Sequence, residues 1–249
     1  MSLEYWYVFP YAVFVCVFAT STGFSGAVLF QPFFYFFLNV PVHQSIATGI
    51  ATETVGMSGG AYRYAKMKYH DYASFKWLLP FSLVGVLVGY GIFHFFSHVN
   101  LKRLVGMVMI LVSLIQFYSL GKSHENKPSV LKKWSWLTFI SGIFSSSTGT
   151  GVAELNQPLL EHAGKLPTKK ANATAILLEA SSDWLITLLN LSIGNIRYDI
   201  LIFSVSGVLV GSQIGPRLAP LLPDKWLKMI FAIGVGGIGI FYLYQTYKS

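Results

Sequence analysis

The sequence predicts an all-α membrane protein built as two inverted-topology repeats. Each repeat opens with a broken-helix hairpin and continues with three transmembrane helices. Long apolar runs, an internal repeat and a lopsided loop charge carry that prediction. Only 11% of the 249 residues are charged and 53% are apolar, whereas a soluble domain carries about 25% charged residues. Runs at 73–97, 102–121, 169–192, 198–222 and 226–247 each reach the roughly 20 residues that a spanning helix needs. Spanning strands would instead be about 10 residues with alternating polarity. Trp6, Trp77, Trp134, Trp136, Trp226 and Tyr242 flank the runs, as interfacial aromatics do. The net charge of +8 does not point to nucleic acid, because Lys and Arg lie in short loops between apolar runs. Cys16 stands alone and forms no internal disulfide. The first run lacks a basic leader and is read as retained structure rather than a signal peptide.

The repeat defines the organisation. Residues 21–53 and 147–179 align without a gap at an offset of 126, and 12 of 33 pairs are identical. Ser21-Thr22-Gly23 matches Ser147-Thr148-Gly149, Gln31-Pro32 matches Gln157-Pro158, and Pro41 matches Pro167. Ala47-Thr48 matches Ala173-Thr174, and Glu53 matches Glu179. With a further shift of four residues, FSLVGVLVG at 81–89 matches FSVSGVLVG at 203–211. The expected units are a first repeat at 1–121, a basic linker at 122–133 and a second repeat at 134–249. Predicted spans are 45–63, 74–97 and 102–121, then 169–192, 198–217 and 226–247. Gly85/Gly89 and Gly207/Gly211/Gly215 put small residues on one helix face, a close-packing seam.

The first segment of each half is the unusual one. Residues 5–38 as a straight helix would extend about 51 Å, against a hydrocarbon core of about 30 Å. Ser21–Gly26 and the copy at Ser145–Gly151 interrupt these segments, and Gly, Ser and Thr weaken a helix interior. Each segment is therefore expected to break at membrane depth. If each break turns the chain back to its own side, Lys and Arg divide 14 to 4 between the two sides; single crossings divide them 10 to 8. The positive-inside rule selects the first arrangement, with opposed halves and both termini outside. His43, His94, His98 and His162 lie near segment ends and are read as interfacial.

Inverted repeats with broken helices are a hallmark of secondary transporters, and irregular backbone at depth must be buried in protein or line a cavity. The two joints are thus expected to meet near the midplane as a substrate site, the alternative being a packing break between crossed helices. Candidate substrate-binding residues are Thr22, Gly23, Ser25, Gly26, Gln31 and Thr48, with Thr148, Gly149, Thr150, Gly151, Gln157 and Thr174. Intramembrane ionisable groups default to functional candidates. Glu53 and Glu179 occupy matched positions, and Asp183 shares a helix face with Glu179. Burial and a like-charged neighbour favour a protonated carboxyl, so these three are candidates for proton coupling; the alternative is neutral acids held by hydrogen bonds. Glu154 falls in the first turn after the second joint, where the helix dipole tolerates a negative charge.

No HExxH, GxSxG or Cys/His metal set is present, so neither an enzyme nor a cofactor nor a metal is expected. The motif set from Thr22-Gly23-Phe24-Ser25-Gly26 through Pro32, Pro41 and Ala47-Thr48-Gly49 resembles the TauE/SafE family of sulfite and organosulfonate exporters. The copy from Gly149-Thr150-Gly151 through Pro158, Pro167 and Ala173-Thr174 carries the same resemblance. It implies a multi-pass inner-membrane protein that exports small sulfur-containing anions. Free N–H groups at half-helix N-termini, together with Ser and Thr hydroxyls, would hold such an anion. The expected partners are a small anion and the bilayer, with a homodimer as the candidate assembly. The competing reading is a proton-coupled carrier of a cation or neutral solute that uses the intramembrane carboxylates.

Overall fold

The computed structural model describes residues 5–92, 98–119 and 129–248. The predicted interfacial His94 and residues 122–128 of the expected linker lie outside them. The described chain is helical: α1 (Val8–Thr22), α2 (Ala27–Phe37), α3 (Val42–Lys66), α4 (Tyr72–Ile92), α5 (His98–Ser119) and α6 (Leu131–Trp134) are followed by α7 (Trp136–Thr148), α8 (Val152–His162), α9 (Thr168–Ser192), α10 (Tyr198–Leu218) and α11 (Asp224–Lys248). Both long first segments break where expected, at Gly23 and Gly149. These glycines adopt left-handed conformations (φ 79° and 69°) that cost a residue with a Cβ about 1 kcal/mol or more. Left-handed backbone recurs at the same offset elsewhere, at Asn39 with Lys165 and at Lys68 with Gly194.

Among the described residues three helices are long and apolar enough to cross a membrane: Tyr72–Ile92, Tyr198–Leu221 and Asp224–Tyr247. The protein is a multi-pass membrane protein. Its outward faces carry Val84, Leu87, Leu111, Leu114, Leu209, Val210, Ile233 and Ile240, a surface that lipid rather than water accommodates. Trp6, Trp77, Trp134, Trp136 and Trp226 are exposed as interfacial residues should be, but Tyr242 is buried in a core cluster with Phe24, Phe144 and Phe231. The 25-residue helices α3 and α9 are less apolar for a physical reason. They cross each other, and α2, α8, α10 and α4 pack around them. Their Ser, Thr, Asn and carboxylate side chains therefore face protein, where hydrogen-bond partners exist.

Helices pair across the halves: α1 packs on α10, α7 on α4, and α5 on α11. The glycine seams hold two of these pairs and correct the four-residue shift inferred from sequence. A Cβ at Gly85 would strike the Phe139 carbonyl, and one at Gly211 would strike the carbonyl of Val13. Likewise Gly89 meets Ile143 and Gly215 meets Val17. Gly85 and Gly89 therefore correspond to Gly211 and Gly215 at the unbroken offset of 126. The three evenly spaced glycines of α10 resemble themselves one turn along, so the sequence match slid by a turn.

Gly85→Val should lower the thermal-unfolding midpoint in detergent, as overpacking costs about 1–3 kcal/mol. Gly91, with nothing within 4 Å of a built Cβ, should accept alanine with no loss. Equal midpoints for the two variants would sink this account of the seam.

Candidate functional site

The C-termini of α1 and α7 are built alike. Gly23 N–H donates to Ala19 O at 2.9 Å and Gly149 N–H to Ser145 O at 2.8 Å, satisfying carbonyls that a helix end leaves open. The last-turn hydroxyls turn back onto their own helices, Thr22 to Phe18 O and Thr148 to Phe144 O, both at 2.8 Å. Further carbonyls at the end of α1 are met from other elements. Tyr64 Oη donates to Thr20 O at 2.8 Å and Asn172 Nδ2 to Ser21 O at 2.9 Å. At the end of α7, Gln31 Nε2 donates to Thr148 O at 2.6 Å.

The N-termini of α2 and α8 hold the main departure from expectation. Their N–H groups are not free. Glu53 reaches from α3 to accept from Gly26 N at 2.6 Å and Ala27 N at 2.9 Å. Glu179 reaches from α9 to accept from Ala153 N at 2.5 Å. Glu154, in the first turn of α8, accepts from the N-cap Gly151 N at 2.9 Å. Its other oxygen accepts from Ser25 N, 2.8 Å away in the first joint. Buried helix N-termini cannot leave their donors unpaired, and carboxylates suit the positive end of the helix dipole. The chain's own acids thus occupy the donors that the sequence left open for an anion.

The joints touch directly. Ser25 Oγ lies 2.8 Å from both Glu53 Oε2 and Gly149 O. Each glutamine reaches the left-handed glycine of the other half: a Cβ on Gly149 would meet the Gln31 amide, and one on Gly23 would meet the amides of Gln157 and Asn172. Thr22, Gly23, Ser25, Gly26, Gln31, Thr148, Thr150, Gln157, Glu53, Glu154, Glu179 and Asp183 are all buried. Glu53, Glu179 and Asp183 each place one oxygen within 4.8 Å of the others. Among the described residues no basic side chain pairs with them.

Thr48 and Thr174 are placed differently from expectation. Thr48 Oγ1 accepts from Arg197 N and Thr174 Oγ1 from Asp71 N, both at 3.0 Å, so these hydroxyls hold the turns that lead into α10 and α4. A cleft of about 270 Å³ is lined by residues that include Ser58, His70 and Trp184, with none of the predicted site residues among them. Sequence reasoning missed Asn156, Asn172, Glu161 and Lys228. Asn156 accepts from Thr138 at 2.5 Å and donates to Val152 O at 2.8 Å, bracing α7 against α8. Lys228, counted by its sequence position among loop charges, is buried against Glu161 at 2.9 Å. A polar residue inside a short apolar-flanked helix was the available signal for Asn156; a lysine one turn into a span looks like any interfacial lysine.

Residues 8–242 match the family model described as Sulfite exporter TauE/SafE. No curated protein and no solved structure matches the chain. A match over nearly the whole length, on a fold whose two broken segments meet at Ser/Thr/Gly joints, places the protein among transporters rather than enzymes: the chain belongs to the sulfite exporter TauE/SafE family.

Proposed function

We propose that this chain is a secondary transporter that exports small anions, sulfite or organosulfonates, from a site between its two joints. The observation that carries this reading is the pair of buried helix N-termini at joints that touch, capped by the carboxylates of Glu53 and Glu179. An anion entering between the joints takes over the N–H donors of Gly26, Ala27 and Ala153. Ser25 and the glutamines Gln31 and Gln157 supply further polar contacts. The displaced carboxyls move off and take up a proton rather than remain as buried like charges.

The halves, 1–121 and 134–249 joined by 122–133, are read as inverted repeats with both termini outside. The 14-to-4 loop charge and the exchange of partners, α1 with α10 and α7 with α4, support this. Alternating access then follows from rocking one half against the other around the joints.

Proteoliposomes loaded with sulfite, sulfoacetate, taurine or sulfate, with and without a pH gradient, test the proposal. Flux of a sulfur-containing anion that responds to the gradient is expected. Glu53→Gln keeps one carbonyl acceptor for the Gly26 and Ala27 donors but cannot exchange a proton, so whatever flux it retains should lose pH dependence. Absence of any anion flux would sink the transport reading. Flux indifferent to pH in the native protein, and retained in the Glu53→Gln, Glu179→Gln double variant, would remove the proton step alone.

A further inference from the structure

We propose that Glu53, Glu179 and Asp183 form a binding site for a hard, oxygen-seeking cation of sodium or calcium size. One oxygen from each carboxyl lies within 4.8 Å of the others, and all three side chains are buried. A cluster of acids alone is weak ground, but Asp183 supplies a second observation. Both its carboxyl oxygens are buried without a hydrogen-bond partner, as is Glu179 Oε1. Asp183 caps no helix and meets no basic side chain among the described residues. Buried carboxyl oxygens are costly unless something binds them. A missing ligand that all three can share is a cation.

Mutual spacing within 4.8 Å lets one ion reach all three carboxyls, and such an all-oxygen site without imposed octahedral geometry suits calcium, or sodium of similar radius, better than magnesium, which demands near-ideal octahedral ligands and gives up its waters reluctantly. Charge points the same way: with Glu154 also at the start of α8, four buried carboxyls face two helix N-termini that each carry roughly half a positive charge, and a cation offsets part of the excess.

Such an ion would act on the neighbouring joints. It draws the free oxygens of Glu179 and Asp183 inward and cancels the negative field that an arriving anion meets. Cation and anion should therefore bind cooperatively, each tightening the other by the same factor. This last step rests on the transport reading; cation binding does not, and is measured without flux.

The purified protein in detergent is melted in choline chloride at constant ionic strength, with sodium, potassium, magnesium or calcium chloride substituted. A ligand that binds only the native state raises the midpoint with the logarithm of its concentration above Kd. Sodium or calcium should do this, magnesium should not, and Asp183→Asn should flatten the response. Equilibrium dialysis of the native protein against radiolabelled sodium or calcium keeps the test open should that variant fold poorly. One bound ion per chain is expected, and the isotope retained says which cation is the occupant. Midpoints indifferent to every cation, no retained isotope, or a saturable response surviving Asp183→Asn would each overturn the site. Anion flux without cation binding would overturn this inference and leave the transport reading standing.

Discussion

Glu154→Ala should be among the most destabilising single substitutions in this protein, at about 3–6 kcal/mol. The figure follows from what the side chain holds. One oxygen accepts from Gly151 N at 2.9 Å and the other from Ser25 N at 2.8 Å, in a residue with no exposed surface. Hydrogen bonds to charged groups contribute about 1.5–3 kcal/mol each, and a buried donor left unpaired costs about 1–3 kcal/mol. Alanine strands both N–H groups at once. Glu154→Gln should fall between: its carbonyl serves one donor, while its NH2 faces the other. Thermal midpoints and the monodisperse fraction in size-exclusion chromatography read both variants. A midpoint for Glu154→Ala within about 0.5 kcal/mol of the parent, the range of a neutral surface change, would refute the clamp. The consequence reaches function because Glu154 is the one carboxyl that bridges the two joints. Losing it should loosen the site even in protein that stays folded.

What could be read from sequence followed the repeat. The breaks at Gly23 and Gly149 were legible because Ser, Thr and Gly interrupt runs too long for one span. Glu53 and Glu179 were legible because each falls at the other's position. The structure shows what that match means: Glu53 caps Ala27 and Glu179 caps Ala153, residues again 126 apart. Their task was not legible, since nothing in a residue's identity says whether a helix N-terminus is left open or filled by an acid from a neighbouring helix.

The rest escaped because it breaks the repeat. Glu154, Asn156, Glu161, Asn172 and Asp183 fall opposite Val28, Phe30, Tyr35, Ile46 and Met57. An internal comparison that rewards identity is blind to a polar network built in one half only. Thr48 and Thr174 show the converse. Their identity across the repeat signals a shared role, and that role is holding the turns before α10 and α4.

The asymmetric half also holds the buried ion pair whose rupture should match the loss of Glu154. Lys228 Nζ lies 2.9 Å from Glu161 Oε2, with the side chains 8% and 0% exposed. It ties the end of α8 to the start of α11. Lys228→Met leaves a carboxylate buried without its counter-charge, and removing one member of a buried pair costs about 3–5 kcal/mol. Glu161→Gln strands the ammonium less severely, because the amide oxygen still accepts and the lysine can extend toward the interface. The double variant removes both charges and should regain most of the loss, since well-packed neutral replacements of buried pairs are often neutral or stabilising. A double-mutant cycle on thermal midpoints measures the coupling. Losses that simply add would mean that the two charges do not sense each other. A double variant that melts like the parent yet transports more slowly would mean that the pair is kept for the movement of α8 against α11 rather than for stability.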